Sequence, residues 1–160
     1  MRRARRIRAR VPPPPPDAPR KALYSPGILA AAVGLAEFPI DSSLPLLGEA
    51  RSRTCGSTLT LALALDEQSR IARVGCRAQA CAVGQAAAHI FLSAATGRNT
   101  DELAAARTAL GAWLTGDGPL PDWPGIALID PARDYPARHG AILLAWDAAL
   151  AALASPLAIR

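Results

Sequence analysis

A small α+β domain, with a three-stranded antiparallel sheet covered by helices on one face, is the fold this sequence predicts, and three observations predict it. Thr58 to Leu65 alternates strictly, with Leu59, Leu61, Leu63 and Leu65 on one side and Thr58, Thr60, Ala62 and Ala64 on the other, the period of a half-buried strand. Asp66-Glu67-Gln68-Ser69 then supplies turn chemistry. Arg70 to Ala80 returns with Ala72, Val74, Cys76, Ala78 and Ala80 on one side and Arg73, Arg77 and Gln79 on the other. The hairpin is followed by segments whose apolar residues recur at helical spacing, so strands and helices are segregated along the chain.

Before the hairpin, Ser25-Pro26 reads as an N-cap serine followed by proline at the first helical position, opening an apolar run to about Ala36. Pro39 and Pro45 bracket an irregular segment, and Gly48 to Thr54 reads as the third strand, at the sheet edge. After the hairpin, a helix runs from Cys81 to about Thr96 with Val83, Ala87, Ile90, Phe91 and Ala94 as its apolar stripe. Gly97 stops it. His89 shares the polar stripe of Gln85 and Ser93 and is expected at the surface.

Asn99-Thr100-Asp101-Glu102 caps the next helix, whose buried stripe is Leu103, Ala106, Leu110, Trp113 and Leu114. Gly116 to Gly125 is a Pro/Gly-rich loop, and Ile126 to Ile129 is a short apolar piece. The last helix begins at about Pro136 or His139 and runs to Ala154, burying Ile142, Leu143, Trp146, Leu150 and Leu153. Trp113, Trp123 and Trp146 read as core or loop anchors.

The chain has 160 residues, half of them apolar, which is enough for one domain with a core that needs no disulfides. Its net charge of +5 is unevenly placed. Residues 1 to 22 carry eight cations and one anion, whereas residues 23 to 160 carry ten arginines and twelve acidic groups. The arginine run and the five consecutive prolines after it read as a disordered basic extension over residues 1 to 22, leaving a domain over 23 to 156. No aromatic residue in the extension offers a base-stacking surface, so no specific nucleic-acid partner is expected. Met1 is the only methionine, as expected if the start lies upstream of a protein beginning near Lys21. No secretory h-region follows the arginines, and three cysteines cannot all pair, so a cytoplasmic protein with no membrane partner is expected.

Those three cysteines are Cys55, Cys76 and Cys81. An antiparallel hairpin sets the start of its first strand beside the end of its second. Cys55, just before the hairpin, and Cys81, just after it, are therefore expected at one end of the sheet. A thiol at a helix N-terminus, where Cys81 stands, is in the setting used by thiols that bind metal or attack sulfur. Cys76 lies on the small apolar side of its strand, the usual place of an inert buried thiol.

Cys55-Gly56-Ser57, the 26-residue spacing to Cys81, Thr96-Gly97-Arg98, and Tyr135-Pro136-Ala137-Arg138 followed by Leu144-Ala145-Trp146 occur in that order. In this the chain resembles the iron–sulfur cluster assembly scaffold family of NifU N-terminal, IscU and SufU domains. The resemblance covers about residues 23 to 154 and implies the SufE/NifU (IscU-like) fold. It implies a non-enzymatic scaffold that holds iron or a labile [2Fe–2S] cluster, with zinc as the alternative metal, through Cys55 and Cys81. The implied partners are a cysteine desulfurase and apo iron–sulfur proteins, and a homodimer is compatible with it. The chain departs from the pattern twice. The family's aspartate after Cys-Gly is Ser57, and its third cysteine falls on Ala141 or, with a one-residue slip, on Gly140. His139, Cys76 and Ser57 are the substitute ligands within the chain. A sulfur acceptor of SufE or SufU type, with Cys81 as the accepting thiol, is the second function the resemblance implies. A relative that only binds a partner is the third.

Overall fold

The computed structural model describes residues 22–154; the basic extension expected over residues 1 to 22 lies, apart from its last residue, outside them, as do residues 155 and 156 of the expected domain. Helix α1 (Pro26–Gly34) opens on Ser25, whose Oγ accepts a hydrogen bond from the Ile28 N–H at 3.2 Å. A 3₁₀ turn over Leu35–Glu37 carries the chain to strands β1 (Leu46–Arg51), β2 (Thr58–Leu65) and β3 (Ile71–Gln79), in the antiparallel order β1-β2-β3. Helices α2 (Ala82–Ala95), α3 (Thr100–Leu114) and α4 (His139–Ala154) follow, with a 3₁₀ stretch over Ile126–Asp134 and another over Pro136–Arg138 before α4.

The leucine side of β2 faces the core: Leu59, Leu61 and Leu63 are buried. Helix α4 crosses β1 and β2 on that side and packs on α2 and α3. This crossing depends on Gly48, because any Cβ there would run into the Ala148 carbonyl of α4 and sit 2.5 Å from the Ala152 amide. The stretch Pro136–Ala154 is long and apolar enough to cross a bilayer, with a mean hydropathy of 1.2. In the fold it serves as a core helix, with Ile142, Trp146 and Ala149 fully buried. Phe91 stacks on Trp123 and Trp146 meets both rings edge-on, with centroids 5.1–5.4 Å apart, and Trp123 Nε1 donates to the Ile90 carbonyl at 3.1 Å. The tryptophans are thus the expected anchors.

Three expectations are corrected. The edge strand starts and ends earlier than Gly48 to Thr54, because Ser52 to Ser57 closes on itself as a turn: Ser52 N–H donates to the Ser57 carbonyl at 2.8 Å and Gly56 N–H to the Ser52 carbonyl at 3.0 Å. The alternation of the return strand breaks at its start. Leu65 pairs with Ile71 while Ala64 pairs with Arg73, so Ala72 is bulged out and exposed and Ile71 turns inward. His89 is half buried, its ring edge-on to Phe38 with centroids 5.9 Å apart. The reason is that α2 is covered on more than one side, which also buries Ala88, Leu92 and Ala95 outside the expected stripe.

Helix α3 is capped as its sequence predicts. Asn99 Oδ1 accepts from Glu102 N–H, and Glu102 Oε2 accepts from Asn99 N–H, each at 2.9 Å. Arg70 beside the β2–β3 turn pairs with the same carboxylate at 3.0 Å, which ties the hairpin turn to the α3 N-terminus.

Candidate functional site

Hairpin register decides the site. Thr58 pairs with Gln79 at the end of β2–β3, so Cys55, three residues before Thr58, and Cys81, two after Gln79, emerge at the same end of the sheet. Both border one open pocket of about 290 Å³, together with Gly56, Ser57, Gln79, Ala80 and Arg138. Gly56 forms the tip of the turn at φ 69° with open space around its Cα, a left-handed conformation that glycine adopts without a Cβ penalty. Cys81 is the N-cap of α2, and its side chain makes no capping hydrogen bond.

The turn places the Cys55 sulfur among hydroxyls. Sγ donates to Ser52 Oγ at 3.3 Å and lies 3.1 Å from Ser57 Oγ. Both serines are buried polar residues, so the exposed Cys55 thiol has two fixed hydroxyl partners beneath it. Partial burial pushes the Cys55 thiol up. The Ser52 and Ser57 side chains, the Ser57 backbone and the Arg138 charge together outweigh that and hold it below its ordinary value. The same turn also sets Arg138. Ser52 Oγ is 3.1 Å from Thr54 Oγ1, which donates to the Ala137 carbonyl at 3.0 Å. The 3₁₀ piece that carries Arg138 is therefore tied to the turn that carries Cys55.

Cys55, Ser57 and Cys81 of the expected ligands come together here; His139 and Cys76 do not border the pocket. The His139 ring turns away, with Nε2 3.0 Å from the Arg133 carbonyl. Cys76 pairs with Leu61 on the inner side of the sheet and is buried, and that burial pushes its thiol up to about 11. Of the two positions on which the resemblance sets its third cysteine, Gly140 is crowded, since a Cβ there would stand 2.5 Å from Ser52 Oγ. Ala141 is buried with its Cβ against Gly84 of α2. Among the described residues no group of three or more His, Cys, Asp or Glu side chains is placed to hold a metal ion.

Sequence reasoning left out Arg138 and Ser52 as site residues. Arg138 had a signal, standing at the end of the Pro-Ala-Arg motif that the resemblance rests on. Ser52 had none, because only the closure of the turn brings it under Cys55.

No protein-family model and no curated protein sequence matches the chain. Among solved structures, the N-terminal NifU-like protein of Brucella abortus superposes with a TM-score of 0.73 at 30% identity, over 82% of this chain and 92% of that one. The chain belongs to the NifU-like N-terminal family. A protein of thermophilic Fervidobacterium islandicum AW-1, assigned as an iron–sulfur cluster assembly scaffold for the SUF system, superposes with the same TM-score at 22% identity, over 82% of this chain and 96% of that one. That second likeness is one of fold. The α+β fold of this NifU-like chain, a three-stranded antiparallel sheet with helices on one face, is the one its sequence predicts.

Proposed function

We propose that this NifU-like chain serves iron–sulfur cluster assembly as a scaffold-type, non-enzymatic protein, and that its pocket takes up sulfur. One observation carries the reading: two thiols border a single open pocket whose remaining charged group is the Arg138 guanidinium. A [2Fe–2S] cluster or a zinc ion takes a full shell of thiolate, imidazole or carboxylate ligands, and the described residues of one chain do not assemble three such groups. Accepting sulfur asks for less, namely one accessible thiolate that attacks a persulfide. Cys55 is the more exposed of the two thiols and has hydroxyl partners and a nearby cation, so it takes the accepting role that the sequence assigned to Cys81. The donor is a cysteine desulfurase, the receivers of the finished cluster are apo-proteins, and the setting is the cytoplasm.

The test is sulfur transfer from a desulfurase carrying labelled sulfane sulfur. Label that reaches the full chain and the Cys76→Ala variant, but not Cys55→Ala, supports the reading; label on Cys55→Ala at the parent level overturns it.

A second reading keeps the labile cluster as cargo. Cys55 and Cys81 share one pocket that opens outward, so the pockets of two chains facing each other would offer four thiolates to iron or a [2Fe–2S] cluster. Iron and acid-labile sulfide per chain after anaerobic reconstitution, beside a Cys55→Ala/Cys81→Ala variant, test it. Stoichiometric loading of the parent as a dimer supports this reading, and no specific loading overturns it.

A further inference from the structure

We propose that Cys55 and Cys81 work as a pair, with Cys55 receiving a sulfane sulfur and Cys81 expelling it as sulfide by closing a Cys55–Cys81 disulfide. This inference rests on the sulfur-acceptor reading and goes beyond it by giving the received sulfur a way out that needs no metal and no third cysteine.

The two thiols enter the pocket from different elements. Cys55 stands on the Ser52–Ser57 turn and Cys81 at the start of α2, and the Thr58–Gln79 pair fixes the two at one sheet end. Both line the one pocket of about 290 Å³, and the disulfide closes when their Cα atoms come within about 4.4–6.8 Å. No neighbour packs where a Cβ of Gly56 would stand, at the tip of the turn. Cys81 Sγ is engaged in no capping bond. Arg138 borders the same pocket and offers a cation to each anion that forms: the attacking thiolate, the persulfide and the departing hydrosulfide. The third cysteine, Cys76, is buried and does not border this pocket.

The steps balance. The Cys55 thiolate attacks the outer sulfur of a donor persulfide; a new S–S bond forms, the donor's S–S bond breaks, and the donor leaves as its thiolate. Cys55 now carries the sulfane sulfur and its proton. The Cys81 thiolate then attacks Cys55 Sγ, the Cys55–Cys81 bond forms, and HS⁻ departs. The sulfane sulfur is reduced by two electrons, and the two cysteine thiols are the groups oxidised. A dithiol reductant must open the disulfide before the next round.

The experiment exposes the full chain to cysteine persulfide, removes small molecules under nitrogen, and follows intact mass, peptide linkage and released sulfide without added thiol. In the parent, one sulfide per chain appears together with the loss of two hydrogens and a Cys55–Cys81 linked peptide. In Cys81→Ser, whose fold is checked by circular dichroism, Cys55 keeps one extra sulfur atom and sulfide release falls at least tenfold. A parent that holds a stable Cys55 persulfide and releases sulfide no faster than Cys81→Ser overturns the pair mechanism while leaving the sulfur-acceptor reading standing. Absence of added sulfur and of disulfide in the parent overturns both. A linkage between two chains, or one to Cys76, also overturns the pair.

Discussion

Cys55 Sγ lies 3.1 Å from Ser57 Oγ, the residue on which the resemblance sets an aspartate. A carboxylate there would add negative charge beside the thiolate and a ligand beside a metal; a hydroxyl supplies only a hydrogen bond. The charge that favours the Cys55 thiolate comes instead from Arg138.

The first prediction follows from that exchange. Because the hydrogen bonds and the Arg138 charge outweigh partial burial, Cys55 ionises below the ordinary thiol value. Its alkylation by iodoacetamide should therefore reach half-maximal rate below that value. Ser57→Ala and Arg138→Gln each remove a stabiliser of the thiolate, so both should shift the rate profile to higher pH and slow alkylation a few-fold at neutral pH. Peptide mapping of Cys55 alkylation against pH checks this, and a profile unmoved by both substitutions would contradict it.

Thr54 offers a test of how Arg138 is held. Its hydroxyl joins Ser52 to the Ala137 carbonyl, so Thr54→Val removes both links with little change in shape. The expected cost is about 1 kcal/mol in urea unfolding. It should be accompanied by a shift of the Cys55 profile in the same direction as Arg138→Gln. An unchanged profile would show that Arg138 keeps its place without the tie.

Cys76 carries an alkaline instability. Below the ordinary thiol value of 9.0 both the folded and unfolded chains keep its proton, and pH does not enter. Between 9.0 and about 11 the unfolded chain loses the proton while the folded chain retains it, so stability falls as pH rises, by on the order of 2 kcal/mol over the window. Cys55, whose folded thiol ionises early, contributes with the opposite sign. The comparison is therefore made in a Cys55→Ala background, where adding Cys76→Ala should flatten the alkaline slope of urea stability. An equal slope with and without Cys76 would contradict the burial of its thiol.

Gly48 fixes how closely α4 approaches the sheet. Gly48→Ala drives a methyl group into the Ala148 carbonyl and the Ala152 backbone, neither of which can rotate away. It should destabilise the domain by at least about 2–3 kcal/mol. Ala substitution of Gly56 adds no such contact and should cost about 1 kcal/mol, for its positive φ alone. Denaturation midpoints of the two variants give the comparison.

The sequence by itself determined the α+β class, the hairpin with Cys55 and Cys81 at its open end, the Ser25 and Asn99 helix caps, and the burial of Cys76. All of these depend on alternation, helical spacing or local capping, which act between residues near in sequence. Tertiary structure alone decided the rest. The Ala64/Leu65 irregularity exchanged Ala72 for Ile71 because strand pairing is settled between two strands. His89 left the surface because α2 is covered on more than one side. Ser52 came under Cys55 and Arg138 came to the pocket, while Gly140 was closed by Ser52 and His139 turned to the Arg133 carbonyl. The Ser52–Cys55 and His139–Arg133 contacts close over a few residues; the placing of Arg138 and the closing of Gly140 follow from where the Ser52–Ser57 turn meets the start of α4. That contact joins residues more than eighty positions apart, and no local pattern along the chain encodes it.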